Sequence, residues 1–195
     1  YRIAQQVLKD RKGAPALPVR PTAVQQQKAI EAALELAYAE RPARDQVVSF
    51  AKQTLALATD FVRKHDLVTV PDDPVKIILM PEFQCGVAVA YCDSPGPLDK
   101  GLETYYAISP IPDDWTAQQT ESFLREYNDR MIHLLSIHEA MPGHYLEGAH
   151  SVDHPSTLRA VLRSGTFAEG WAVYTEDMVA DAGYLDNDPL FRLVQ

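Results

Sequence analysis

Apolar residues recur at every third or fourth position over much of this chain, and this spacing predicts amphipathic helices. After a short helical turn, a proline-rich stretch that ends at Pro21 predicts an irregular connector. Helix-forming residues then fill residues 22–40 and 44–67, which predicts two long helices. Because only a short link with Pro42 joins them, the pattern suggests an antiparallel hairpin, and residues 1–70 would form a helical segment.

The pattern changes after the second long helix, where short apolar runs are separated by prolines and glycines. Three such runs, at residues 75–80, 87–91 and 103–109, predict short strands. They open a second region, over residues 71–195. A small sheet between helical stretches is typical of the α+β class. We therefore expect a mainly helical α+β fold in which a sheet of three to four strands lies beside a long helix.

That long helix is predicted directly after the strands. Thr116 and Gln119 have the spacing of a capping box, and apolar residues then recur at intervals of three and four for about 26 residues. Pro142 and Gly143 stop or bend this helix. Further helices are predicted over residues 156–163, over residues 166–182 and from Asp188 onwards. Because the chain opens with Tyr1 instead of Met and the last helix begins close to its end, we expect a fragment of a longer protein.

Composition and charge narrow the classes of function. Hydrophobic residues make up 46% of the chain, as in ordinary globular domains, and no apolar run is long enough to predict a membrane span. Asp and Glu total 27 against 18 Lys and Arg, for a net charge of −9. No lysine follows Lys100, and a nucleic-acid partner is not expected, because phosphate contacts need clustered cations. Cys85 and Cys92 are expected to be buried free thiols instead of a disulfide.

Histidines are concentrated in one part of the chain, with five of the six between positions 133 and 154. At the centre of this cluster, His138 and Glu139 stand together late in the long helix, and His144 follows. A His-Glu pair with a second histidine nearby is typical of zinc hydrolases, in which neutral imidazole nitrogens bind the metal. The glutamate of such a pair accepts a proton from a water molecule. The cluster therefore predicts a metal site.

The spacing of the two histidines departs from the usual His-Glu-x-x-His pattern. Residues six apart on a regular helix are related by a rotation of about 240° around its axis, so the two imidazoles would diverge. Pro142 lacks a backbone donor, and Gly143 allows unusual backbone angles. A bend at these two residues would swing His144 back towards His138.

A third metal ligand is predicted on the helix over residues 166–182. Glu169 and Glu176 share one face of this helix with Ala172 and Val173. A carboxylate on a buried face needs a cation or hydrogen-bond donors nearby. Glu169 is the predicted ligand. Glu176 is expected to neighbour the site or to pair with an arginine, with a ligand role as the less favoured alternative.

Several segments resemble a known family. Three of them begin at Glu121, His138 and Glu169, and they contain Glu-Ser-Phe-Leu-Arg-Glu-Tyr-Asn-Asp, His-Glu-Ala-Met-Pro-Gly-His-Tyr and Glu-Gly-Trp-Ala-Val-Tyr-Thr-Glu. Together with stretches at Met80 and Pro97, they resemble the bacterial proteins grouped as domain of unknown function 885 (DUF885). The resemblance extends from about residue 75 to the end, and the preceding residues match only as generic helices.

The DUF885 family is similar to the gluzincin metallopeptidases, so the resemblance implies a zincin-like fold and a zinc-binding site. It implies a zinc ion held by His138, His144 and Glu169, with Glu139 as general base. It also implies that an edge strand of the sheet aligns a peptide substrate. Glu147 stands where many members have glutamine, and this departure leaves the implied ligands intact. Family members are usually much longer than 195 residues.

Each candidate residue also has a simpler interpretation. His138 on an apolar stripe is also consistent with a core histidine, and Glu139 with a surface carboxylate at a helix end. The other clustered histidines are expected on the surface or in loops: His133, His150 and His154. Four tyrosines are expected to pack, and one of them is a candidate donor to an oxyanion: Tyr105, Tyr106, Tyr145 and Tyr174.

The favoured prediction is a zinc-dependent hydrolase, most simply a metallopeptidase, that acts on a peptide or a small amide. One alternative is a catalytically incomplete or inactive zincin-like module that binds peptides. Another alternative is a non-peptide metallohydrolase such as an amidase. Retention of both histidines and both glutamates favours an active site, whereas the expected truncation favours an incomplete one.

Overall fold

The structure is a computed structural model. It describes residues 1–9, 18, 20–73, 75–85, 88–96, 98–99, 101–152 and 154–195. Helices form most of the described chain and accompany one small sheet, which confirms the predicted α+β class. Most of the proline-rich connector predicted before Pro21 lies outside the described residues. Val87, at the start of the second predicted strand, also lies outside them.

Side-chain caps explain where several helices begin. Thr22 and Thr116 each accept a backbone N–H from a glutamine three residues later, whose side chain accepts the threonine N–H in return. Asp188 caps the last helix with its carboxylate. The α-helices of the described chain are α1 (Arg2–Leu8), α2 (Ala23–Ala39), α3 (Val47–Lys64), α4 (Ala117–Glu126), α5 (Asp129–Glu139), α6 (His144–Val152), α7 (Thr157–Val161), α8 (Gly165–Asp181) and α9 (Pro189–Val194).

The sheet has three strands, in line with the prediction: β1 (Lys76–Leu79), β2 (Ala90–Asp93) and β3 (Tyr105–Ile108). Their order is β1-β3-β2, with β1 parallel and β2 antiparallel to β3. The central strand β3 is buried at three of its four residues. Within the described sheet β2 is an edge strand, and it packs against α5.

The prediction of one helix of about 26 residues is wrong, because α4 and α5 are separate. The chain leaves helical geometry at Tyr127, and the Asn128 side chain accepts the backbone N–H of Arg130 at 3.1 Å and that of Met131 at 3.3 Å. Asparagine is among the strongest N-cap residues, so it ends one helix and begins the next. The apolar spacing continues across this break, which is why the pattern predicts a single helix.

In the described part of the chain, α2 and α3 pack mainly against different neighbours, which gives no support to the suggested hairpin. α2 packs against α1, α4 and α9, whereas α3 packs against α5 and β1. The buried face of α2 consists of Ala29, Ala33 and Ala37, whose small side chains allow close approach of other helices. α3 instead contributes Val47 and Val62 to the main core. This core therefore extends across the predicted boundary between the two regions.

The candidate site lies where three helices and a strand meet. α5 and α6 stand on either side of the predicted bend, α8 packs against both, and β2 packs against α5. The sequence-based prediction, in which Pro142 and Gly143 stop or bend the long helix, does not define α6 as a separate helix. No helix found among the described ranges is both long and apolar enough to span a membrane.

Candidate metal centre

A tight bend joins α5 to α6, and it requires glycine. The backbone N–H of Gly143 donates to the carbonyl oxygen of Ile137 at 2.9 Å, which folds the chain back over the end of α5. A Cβ placed on Gly143 would lie 1.8 Å from the carbonyl oxygen of His138. Carbon and oxygen atoms do not approach so closely without a bond, so any other residue would displace the backbone. The bend predicted at Pro142 and Gly143 is therefore present.

This bend brings His138 and His144 together in spite of their six-residue spacing. Their ring centroids are 4.8 Å apart, and the ring planes are nearly perpendicular at 86°. The two side chains are 21% and 12% exposed. On a regular helix the rings would point apart, so their approach is a product of the bend.

Glu169 approaches both histidines from α8. Its Oε2 lies 3.5 Å from His144 Nε2 and 3.7 Å from His138 Nε2. One potential ligand atom from each of the three residues lies within 4.8 Å of the other two. Trp171 donates from its Nε1 to the carbonyl oxygen of Pro142 at 2.9 Å and so ties α8 to the bend. The Glu169 side chain is 67% exposed, which leaves this side of the cluster open to solvent.

Glu176 orients His138. Its Oε1 lies 2.7 Å from His138 Nδ1, and its side chain is 12% exposed. This hydrogen bond raises the pKa of His138, while burial acts in the opposite direction. An imidazole that donates from Nδ1 keeps a lone pair on Nε2, the atom that approaches Glu169. The structure therefore gives Glu176 an orienting contact, as a neighbour of the predicted ligands.

His144 lies in a different electrostatic environment. Burial lowers its pKa, and the charge of His138 acts in the same direction. Its Nδ1 is buried and has no hydrogen-bond partner among the residues that the structure describes. These effects favour the neutral imidazole, which is the form that binds metal ions.

Glu139 ends α5 directly after His138. Its Oε2 accepts the backbone N–H of Cys92, in the edge strand β2, at 3.0 Å. Burial raises the pKa of Glu139 to about 7, against the lowering effects of His138 and of the Cys92 N–H. A carboxyl group that titrates near neutral pH is suited to accept a proton and to return it.

The remaining clustered histidines are not equivalent. The predicted surface or loop position of His133 is wrong, because this residue is buried and its Nδ1 lies 2.8 Å from the Tyr184 hydroxyl. Burial lowers the pKa of His133 to about 4, and the charge of Arg130 acts in the same direction. His150 and His154 are exposed, as predicted. They lie outside the group formed by the predicted ligands.

The four candidate tyrosines also differ. The hydroxyl of Tyr145 donates to the carbonyl oxygen of Asp73, and that of Tyr105 donates to a glutamate carboxylate at 2.8 Å. Tyr106 is buried in the central strand. Tyr174, in contrast, is 56% exposed on α8. An oxyanion donor stays a prediction, and Tyr174 is the exposed candidate for it.

Two features beside the cluster are missing from the sequence-based prediction. One is the backbone N–H of Cys92. The other is the hydrogen-bond network of Glu147, whose side chain is 5% exposed and accepts hydrogen bonds from Ser151 at 2.8 Å and from Arg163 at 3.0 Å. The spacing of Glu147 and Ser151 on one helix face was the available signal for part of this network. Cys85 and Cys92 are both free, as predicted, but they are half-buried where buried thiols were expected.

Comparison with known families gives the chain a place among bacterial proteins. A family described as "Bacterial protein of unknown function (DUF885)" matches residues 2–195. The chain belongs to the DUF885 family. Because the match begins at residue 2, the DUF885 assignment also covers the first helices, for which the sequence motifs gave only a generic resemblance.

Two solved structures are similar to this DUF885 chain. A "putative lipoprotein of unknown function from Shewanella oneidensis" is 30% identical, with a TM-score of 0.81 over 99% of this chain. The "putative lipoprotein from Colwellia psychrerythraea" is 23% identical, with a TM-score of 0.66 over 85% of this chain, and supports the fold alone. This chain spans 33% of the first structure and 28% of the second. No curated protein matches it significantly.

Proposed function

We propose that this DUF885 chain carries the zinc site of a zinc-dependent hydrolase, most simply a metallopeptidase. The observation that carries the proposal is the convergence of His138, His144 and Glu169 on one small volume. A bend that requires Gly143 and the bond from Trp171 to that bend both maintain this convergence.

The donor set fits zinc. Two imidazole nitrogens and one carboxylate oxygen hold the metal in many catalytic zinc sites, which keep a fourth position for water or substrate. Metal-binding histidines usually donate their second ring N–H to a carboxylate, and Glu176 supplies this partner for His138. The exposure of Glu169 gives water and substrate access to the cluster. We therefore assign the three residues as zinc ligands.

The chemistry assigned to the protein centres on Glu139. Zinc bound at this site would polarise a substrate carbonyl and lower the pKa of a bound water molecule. The Glu139 carboxylate accepts the proton of the attacking water and returns it to the leaving amine, and a pKa near 7 suits both transfers. The N–H of Cys92 holds Oε2 of this carboxylate, so the proton is assigned to Oε1.

The edge strand β2 favours a peptide over a small amide as substrate. Cys92 lies in this strand and contacts Glu139 through its backbone. An extended peptide that pairs with the edge of a sheet is held by main-chain hydrogen bonds in a regular register. A peptide bound along β2 would therefore present its backbone beside Glu139.

A zinc-binding module that is catalytically incomplete is the second candidate. The chain spans 33% of the Shewanella oneidensis structure, and the carboxylate of Glu169 is largely exposed. In a longer protein, additional residues would cover this exposed side and complete the substrate cleft. In that case the chain binds zinc and peptide, and cleavage requires the longer protein.

Metal analysis tests the zinc site. The purified chain is expected to hold about one zinc ion at neutral pH. His138→Ala and His144→Ala are expected to lose this ion. His150→Ala is the matched control, because it removes an exposed histidine outside the cluster. Equal zinc content in all four proteins would contradict the assignment.

Peptide cleavage by Glu139→Gln tests the mechanism. The wild-type chain, loaded with zinc, is expected to cleave members of a fluorogenic peptide library. Glu139→Gln is expected to keep its zinc and to lose at least about 100-fold in rate. Unchanged cleavage by this variant would contradict the role of Glu139. If the wild type binds peptides without cleaving them, the catalytically incomplete zinc-binding module is favoured. If it cleaves only small amides, an amidase is favoured.

A further inference from the structure

The helix end that carries Glu169 is held by few packing contacts. Within residues 161–170, Ala168 is buried and every other residue is exposed. A Cβ placed on Gly165 or on Gly170 would meet open space. A helix end with so little buried surface opens readily. The position of Glu169 therefore depends on specific polar contacts.

One such contact joins this region to α6. Glu147 lies three residues after His144, and its buried carboxylate accepts a hydrogen bond from Arg163 Nη2 at 3.0 Å. Its other oxygen accepts a hydrogen bond from Ser151 at 2.8 Å. Arg163 directly precedes Ser164, whose hydroxyl caps α8. The ion pair therefore links the first turns of α6 to the start of α8.

We infer that Glu147 and Arg163 are a positioning pair, which holds the start of α8 against α6 and so keeps Glu169 beside the two histidines. This inference rests on the proposed function, because Glu169 is its third zinc ligand. A carboxylate that is 5% exposed has lost most of its hydration and depends on its two hydrogen bonds. Arg163 supplies the charged hydrogen bond, and its loss would leave a buried carboxylate without a cation.

The bond from Trp171 to Pro142 offers the competing explanation for the position of Glu169. This bond lies on the C-terminal side of Glu169 and fixes α8 against the bend. The Glu147–Arg163 pair lies on the N-terminal side of Glu169. If the tryptophan alone were sufficient, removal of the ion pair would leave the zinc affinity unchanged.

Zinc titration of the whole chain, with a chromophoric chelator as competitor, tests the pair. Arg163→Ala and Glu147→Ala are each expected to weaken zinc binding by about 10–100-fold, the usual effect of losing a partner outside the ligand set. The double variant is expected to bind no more weakly than either single variant, because the two residues act as a unit. Arg41→Ala is the matched control, since it breaks the Arg41–Glu121 pair outside the cluster and should leave the affinity unchanged.

Conservative variants separate positioning from general stability. Arg163→Lys keeps the charge and is expected to restore most of the zinc affinity. If Glu147→Ala fails to fold, Arg163→Lys is the second variant that tests the positioning role. Hydrogen exchange of the metal-free chain supplies a second readout: the amides of residues 165–170 should exchange faster in Arg163→Ala and not in Arg41→Ala. A purely structural role would lower the melting temperature without changing the zinc affinity.

The possible failures are distinguishable. Wild-type zinc affinity in Arg163→Ala would overturn the positioning role and leave the proposed function intact. If the wild-type chain itself binds no zinc, the proposed function and the positioning role are both overturned.

Discussion

The two halves of the candidate site are built in different ways. His138 and His144 stand on a bend beside the main core, where the backbone of Ile137 and His138 leaves no room for a side chain at Gly143. Glu169 stands on the exposed start of α8, and its side chain is 67% exposed, against 21% and 12% for the two histidines. The histidine half is preorganised by buried backbone. The glutamate half depends on a few polar contacts, on the solvent-exposed side of the cluster.

The largest effect is expected from breaking the histidine half at the bend. Gly143→Ala should destabilise the chain by roughly 3 kcal/mol or more, because the new Cβ would overlap the carbonyl oxygen of His138. Urea denaturation measures this change. Gly170→Ala is the matched control, because its Cβ meets open space in α8, and it should be neutral or stabilising by up to about 1 kcal/mol. Equal stabilities of the two variants would contradict the tight bend.

Removal of single ligands compares the two halves directly. His144→Ala is expected to weaken zinc binding more than about 100-fold, because it removes a preorganised imidazole. Glu169→Ala is expected to have a smaller effect, since water can replace an exposed carboxylate. Competition titration with a chelator measures both constants. A larger loss from Glu169→Ala than from His144→Ala would reverse the comparison.

Acid is expected to weaken the core that supports the histidine half. Burial lowers the pKa of His133 on α5 to about 4, from 6.5. Between these values the unfolded chain binds more protons at this residue than the folded chain, so stability falls as the pH falls. The contribution of His133 should decrease by about 2 kcal/mol from pH 7 to pH 5.

Urea denaturation of the metal-free wild type and of metal-free His133→Gln gives the free energy of unfolding of each protein at pH 7 and pH 5. The difference between the two proteins at each pH is the contribution of His133. His150→Gln serves as the control, because it alters an exposed histidine. If the free energies of unfolding of the wild type and of His133→Gln differ by the same amount at both pH values, the buried, neutral state of His133 is contradicted.

A smaller effect is expected where the two halves meet. Glu176→Ala should weaken zinc binding by about tenfold, because His138 loses the carboxylate that orients its ring. It should also lower the pKa of His138 in the metal-free chain, which NMR titration of the imidazole measures. Asp181→Ala, an exposed acid on the same helix, should change neither quantity. An unchanged pKa of His138 in Glu176→Ala would exclude the orienting contact.

Local signals in the sequence account for much of the fold. The helix start at Thr22, the capping box at Thr116 and the cap at Asp188 are confirmed by the structure, because each cap is made within four residues. Asn128 is an equally local cap, but the apolar spacing continues through it and hides the break. The alanine face of α2 gives no indication of which helices cover it, so the spacing of apolar residues could not predict the packing partners of α2.

The candidate site also has features that the sequence predicts and features that it does not. Residue types were sufficient to single out four candidate residues, and the Pro142-Gly143 pair was sufficient to predict a bend. The four are His138, Glu139, His144 and Glu169. The distance between the imidazoles depends on the path of the backbone through the bend, which no spacing rule gives. The contact of Cys92 with Glu139 joins residues far apart in sequence, so it appears only with the packed sheet.

X-ray absorption spectroscopy at the zinc edge of the loaded chain tests the central claim most directly. The proposed ligands predict nitrogen and oxygen neighbours at about 2.0–2.2 Å, with the outer-shell scattering of two imidazoles. In His144→Ala the spectrum should retain the scattering of one imidazole at most. A sulfur neighbour at about 2.3 Å would instead indicate binding by Cys85 or Cys92. Sulfur ligation, or a wild-type spectrum without imidazole scattering, would contradict the site formed by His138, His144 and Glu169.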